Sequence, residues 1–164
     1  MNTEQFVKEY NETTDKEKFV KKHILKDKYI PYAEKVAICK RIVNSTSYVK
    51  SGEIKTYRKN TPGQYMLFVL NVIDLYTDID IDFTDAPNEF DKVYPLNVSN
   101  IICSVCEAEI NTLNTVLKMI EDDLEINERT LVSYIENKIS LLETILGDTD
   151  KLKAKLESFV NEGN

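Results

Sequence analysis

The sequence predicts a mostly α-helical bundle in a single domain, and three observations carry that prediction. Four Gly and four Pro in 164 residues leave too few turn residues for a many-stranded sheet. Apolar residues recur at three- and four-residue steps through most of the chain, the period of a helix buried along one face. With 42% hydrophobic and 30% charged residues in 19.0 kDa, the chain has enough apolar matter to close a core without disulfides or metal.

Phe6, Val7 and Tyr10 place a first helix over residues 3–10, and Thr14-Asp15 caps a second that uses Phe19, Val20 and Ile24. Pro31 presets the first turn of a third helix through Val36, Ala37, Cys39, Ile42 and Val43. Ser51-Gly52 then separates two short runs, so residues 48–58 read as a β-hairpin, with a plain loop as the alternative. Thr61-Pro62 reads as an N-cap and a first-turn proline opening a helix over 62–76. Apolar side chains occupy almost every face of that helix, which places it in the middle of the core.

Residues 78–83 alternate Asp and Ile/Phe, which puts three carboxylates on one side of an extended segment and three apolar groups on the other. Pro87 and Pro95 punctuate what reads as a polar connection, and Asn97 or Ser99 caps a long helix beyond it, running on through Ile110 and Leu113. There Ile110, Leu113, Leu117, Ile120 and Leu124 step 3-4-3-4, the spacing of a coiled-coil seam. A second run, Val132, Ile135, Ile139, Leu142 and Leu146, keeps the steps with its phase shifted by one residue. The shift favours two helices meeting near Asn127, as an antiparallel hairpin or bent rod; one unbroken helix is the alternative. Gly147 reads as a C′ glycine and Asp148 as the cap of a last helix.

Charge is divided unevenly. Residues 1–60 carry net +6 and residues 61–164 net −13, so a basic N-terminal set of helices faces an acidic C-terminal set. The two halves are expected to pack together or to present solvated faces of opposite sign. The densest basic stretch, Lys16, Lys18, Lys21, Lys22, Lys26 and Lys28, has Tyr10, Phe19 and Tyr29 interleaved and is a candidate phosphate-backbone contact. The pI near 4.9 opposes nucleic-acid binding.

Chemistry-bearing motifs are few. Cys103-Ser104-Val105-Cys106, with Cys39 and the sole histidine, His23, supplies the ligand types of a structural zinc site. Thiols on one helical face beside Ile102 and Val105 are better read as small buried apolar groups, so no metal or other cofactor is expected. Asp74, Asp78, Asp80, Asp82 and Asp85 lack the central glycine and distal glutamate of a calcium loop and read as solvated carboxylates. The four glycines are scattered, which excludes a P-loop, and no serine or cysteine nucleophile is tied to His23 by motif. A non-enzymatic chain is expected. The N-terminus carries no basic and apolar leader, and no window reaches the length needed to span a bilayer, so the expected location is the cytoplasm, away from the membrane.

Three stretches carry a resemblance: Asp15-Lys16-Glu17-Lys18-Phe19-Val20 through Ile30-Pro31-Tyr32, Asn60-Thr61-Pro62 with Tyr65-Met66-Leu67-Phe68, and residues 127–134. In these the chain resembles small uncharacterised proteins of tailed phages and prophages of low-GC Gram-positive bacteria. A composition rich in Lys, Ile and Asn, the residues of A/T-rich codons, agrees with that source. The resemblance implies a protein-interaction module in virion assembly, in contact with a phage structural protein, or in binding a host protein, inside the host cell or on the virion. It carries over no functional residue. The C-terminal seam (Ile110, Leu113, Leu117, Ile120, Leu124, Ile135, Ile139, Leu142) is the expected contact or self-association surface, and a small nucleic-acid-associated regulator using residues 16–28 is the alternative.

Overall fold

A computed structural model describes residues 1–25, 28–51 and 54–161, with side chains described except at 49–51, 54–56, 137 and 140–161. Among the described residues the secondary structure is helical apart from one antiparallel strand pair and two isolated β-bridges. The first helix, α1 (Thr3–Glu12), starts at Asn2, whose side chain accepts from Gln5 N. Asp15 caps α2 (Lys16–His23) by accepting from Lys18 N. Pro31 sits at the N-cap of α3 (Tyr32–Thr46), one residue outside the first turn. Strands β1 (Tyr48–Ser51) and β2 (Ile54–Tyr57) pair antiparallel with Tyr48 opposite Tyr57, and these two rings meet edge-on at 6.0 Å. The hairpin, rather than the plain loop, is the observed form.

Helix α4 (Thr61–Tyr76) is capped one residue earlier than expected: Asn60 Oδ1 accepts from Gly63 N at 3.1 Å, and Thr61 is already helical. Val69, Leu70, Val72, Ile73, Leu75 and Tyr76 are buried along α4, which packs against α3 and two later helices. It is the centre of the core, as its all-round apolar sequence requires.

After α4 the chain runs extended. Thr77 bridges to Ile24, Asp80 bridges to Asn2, and Asp80 N donates to Met1 O at 2.8 Å. Ile79 and Ile81 are buried while Asp78, Asp80 and Asp82 face water, the alternation read from the sequence. Phe83 departs from it and is 40% exposed, because a tight turn over Phe83–Asp85 begins there and ends the two-residue period. The residues beyond are not a polar connection. They form α5 (Ala86–Val93), with Pro87 in its first turn and Ala86 and Val93 buried two turns apart.

Tyr94–Leu96 makes a second tight turn, Asn97 takes φ 60°, and α6 (Val98–Val105) follows. Cys106, with ψ 35°, separates α6 from α7 (Glu107–Asn161). The favoured break near Asn127 is therefore overturned: the chain stays helical through the phase shift and through Gly147 and Asp148, which neither end nor cap a helix. A one-residue phase shift breaks no backbone hydrogen bond, so it moves the apolar stripe around the axis without ending the helix.

The chain forms two compact units, Met1–Glu121 and Asp122–Asn164. Among the described residues the buried core ends at Val116, with Leu117 and Ile120 packed on its edge. None of the described helices is long and apolar enough to cross a membrane.

Because Gly147 lies inside α7, Gly147→Ala is expected to raise helix content and stabilise the helix by about 1 kcal/mol. A left-handed C′ glycine responds with the opposite sign, and thermal melts followed by far-ultraviolet circular dichroism separate the two.

Candidate functional site

Helix α7 begins inside the first unit, held by charge as well as by apolar contact. Lys35, 2% exposed on α3, places Nζ 2.8 Å from Glu109 Oε2 and 5.1 Å from the centre of the Tyr29 ring. The same carboxylate oxygen accepts from the Tyr76 hydroxyl at 3.2 Å and from Ile30 N at 3.3 Å. Burial alone raises the Glu109 carboxyl, but Lys35, the Ile30 amide and Tyr76 together outweigh it and hold it below the ordinary carboxylate range. Burial, followed by the adjacent Glu109 charge, pushes the Tyr76 phenol upward. Three turns on, Lys59 Nζ meets Glu121 Oε1 at 2.6 Å. Both pairs join the basic stretch 1–60 to the acidic remainder, so the opposite charges of the two halves meet within this unit.

The predicted seam divides into three parts. Ile110 and Leu113 are 3% and 0% exposed and belong to the chain's own core, so they are unavailable as a contact surface. Their 3-4 spacing serves the core cluster they join, where the Cys39 thiol of α3 sits 3.6 Å from Leu113 O. Leu117, Ile120 and Leu124 are half-buried. In the second unit Ile126, Leu131, Val132, Tyr134, Ile135 and Ile139 are all between 47% and 61% exposed. Leu142 has its side chain outside the described residues. Leu131 widens the surface beyond the predicted Ile135 and Ile139, and the hydrophobicity of 131–135 is its signal in the sequence; Ile126 is exposed on the opposite side of the helix.

The basic stretch is partly neutralised. Lys16 donates to the Tyr10 and Asn11 carbonyls and lies over the Tyr10 ring, and Lys21 pairs with Glu17 at 2.5 Å. Lys18, Lys22 and Lys28 are exposed, and Lys26 lies outside the described residues.

The cysteines and the histidine do not assemble. Among the described residues no three His, Cys, Asp or Glu side chains converge as metal ligands. Burial pushes the Cys39 thiol up to about 11 and raises Cys103 and Cys106 as well, away from the thiolate form. His23 directs Nδ1 to Asp78 Oδ1 at 2.8 Å and packs its ring against Phe6 and Phe19. The acidic depression around Asn2, Glu4, Asp80, Asp85 and Lys92 is similarly tied up: Glu89 accepts from Thr3 and Lys92, and Asp82 accepts from Thr84. Neither constellation presents a nucleophile with an adjacent base. Asp74, the remaining acidic candidate, is half-buried, and desolvation raises its carboxyl.

No family model, no characterised protein and no solved structure matches this chain. The class defined by the fold is a mostly α-helical bundle with a long C-terminal helix.

Two outcomes test this anatomy. Glu109→Gln leaves Lys35 buried without its counter-charge and is expected to cost about 2–3 kcal/mol in denaturant titrations, most of it recovered in the double variant Lys35→Met/Glu109→Leu. A carboxyl depressed in the folded state adds stability above its unfolded value, near pH 4.3, and loses it as pH falls through the folded value. The gap between wild type and Glu109→Gln therefore closes below about pH 4. Leu113→Ala is expected to cost about 3 kcal/mol and Ile139→Ala less than about 0.5, which equilibrium unfolding of the first unit resolves.

Proposed function

We propose that this chain is a non-enzymatic protein-interaction module of phage or prophage origin, serving virion assembly or the binding of a host protein in the bacterial cytoplasm or on the virion. Its contact surface is the apolar face of α7 in the second unit. The observation that carries the reading is the exposure of Leu131, Val132, Ile135 and Ile139 on consecutive turns of one helix. Apolar side chains left in water at that density become favourable only when another surface covers them. The raised thiols and the internally paired His23 and Glu89 favour contact over catalysis. The acidic balance, with Lys16 and Lys21 engaged within the chain, favours a protein partner over nucleic acid.

In extracts of producing cells the full chain is expected to sediment in a complex heavier than its own oligomer. The double variant Ile135→Asp/Ile139→Asp should leave that complex while the first unit melts within about 2 °C of wild type. A variant that still co-sediments with the same complex places the contact elsewhere.

A further inference from the structure

We infer that the outward face of α7 takes a second copy of this chain, lying antiparallel about a two-fold axis near residue 140. The inference rests on the reading of α7 as a contact surface and names its occupant. Steps of four and three residues from Leu124 to Phe159 define a seam that is apolar at eight of its eleven positions. Five heptads of such spacing, on a helix that the structure carries without a break to Asn161, match the repeat of a two-stranded coiled coil. Leu131 and Ile135, the seam residues at the middle of its described part, are 53% and 47% exposed, and Val132 and Ile139 flank them at 53% and 50%.

Charge selects both the occupant and its direction. The exceptions in the seam are Glu128, Lys138 and Thr149. A parallel, in-register pair sets Glu128 against Glu128 and Lys138 against Lys138 inside the interface, a like-charge arrangement that costs several kcal/mol. Reversing one copy removes both clashes: with position numbers that sum to about 280, Lys138 lies across from position 142 and Glu128 from position 152, both leucine. The helix is also polar along its length. Residues 121–128 hold five carboxylates and no cation, while 151, 153 and 155 are lysines. Only the antiparallel pair brings the acidic start of one copy to Lys151, Lys153 and Lys155 of the other, which stand among Asp148, Asp150 and Glu157, with Glu125 flanking the seam opposite position 153. Glu125 already orders a cation on this edge through its ion pair with Arg129 one turn on. The unshifted flanking positions, 132 against 146 and 139 against 139, are apolar on both sides.

The test uses the full chain. Sedimentation equilibrium is expected to give a dimer, and Ile135→Asp should weaken it at least a hundredfold while the first unit's melting is unchanged. At low salt Lys153→Glu should weaken the dimer several-fold, with Glu125→Lys in the same chain restoring it. Spin labels on Arg129→Cys, in a Cys103→Ser background, report direction: 22 residues of axial offset at 1.5 Å each place antiparallel labels about 33 Å apart, against under about 20 Å for parallel helices. A dimer with the short distance overturns the antiparallel arrangement, and a dimer indifferent to Ile135→Asp overturns the assignment to this face. A strict monomer up to about 100 µM overturns self-pairing altogether, and α7 then remains a contact surface for a different protein, which the co-sedimentation of Ile135→Asp/Ile139→Asp decides separately.

Discussion

Most of the surface of α4 is apolar, and enclosing its inward side, while Tyr65 stays 51% exposed, is the condition it imposes on the first unit. Each CH2 withdrawn from water contributes about 0.8 kcal/mol, so Leu70, Ile73 and Tyr76, all fully buried, make enclosing α4 a large gain for the chain. Its neighbours follow from that need. Helices α3, α5 and α6 cover it, and Ile79 and Ile81 extend the covering past its C-terminal end. The extended segment at 77–82 has its backbone satisfied by residues 1, 2, 23 and 24, which draws the N-terminus and the end of α2 into the same assembly. Burying so many apolar groups around one helix also closes off Lys35, and that lysine is tolerated only because Glu109 meets it from α7.

Along α7 a single periodic pattern is put to two uses. Ile110, Leu113 and Val116 are consumed by the chain's own core, and their burial is accompanied by the ion pairs at Glu109 and Glu121. Past residue 121 the same kind of side chain stands in water.

Much of this was legible because the relevant interactions are local. Asp15 caps α2 through a contact three residues away, the Asp-Ile alternation fixes which side of 78–82 is buried, and the apolar girth of α4 announces its place. What escaped depended on distant partners or on geometry with weak sequence marks. Helix α5 was hidden by two prolines, although Pro87 falls in a first turn, where its missing N–H costs nothing. The break at Cys106 has no Gly or Pro beside it. Gly147 is a frequent helix terminator, yet one glycine within 55 helical residues is a modest penalty spread over many bonds. No short-range pattern distinguishes Ile110 from Ile139; only the presence of α3 and α4 around the former does. The pairing of Lys35 with Glu109, 74 positions apart, was visible only as a difference in charge between halves.

The division within α7 has a further consequence for how the sequence can change over time. Substitutions in residues 107–121 are screened by the fold that encloses them, since a lost methyl group there leaves a cavity whatever the protein meets outside. Substitutions at 131, 132, 135 and 139 leave the fold intact and are screened only by what lies against them. The exposed half of this helix is free to drift with whatever surface covers it while the buried half stays fixed, so among descendants of this chain the two halves of one continuous helix will record two different histories.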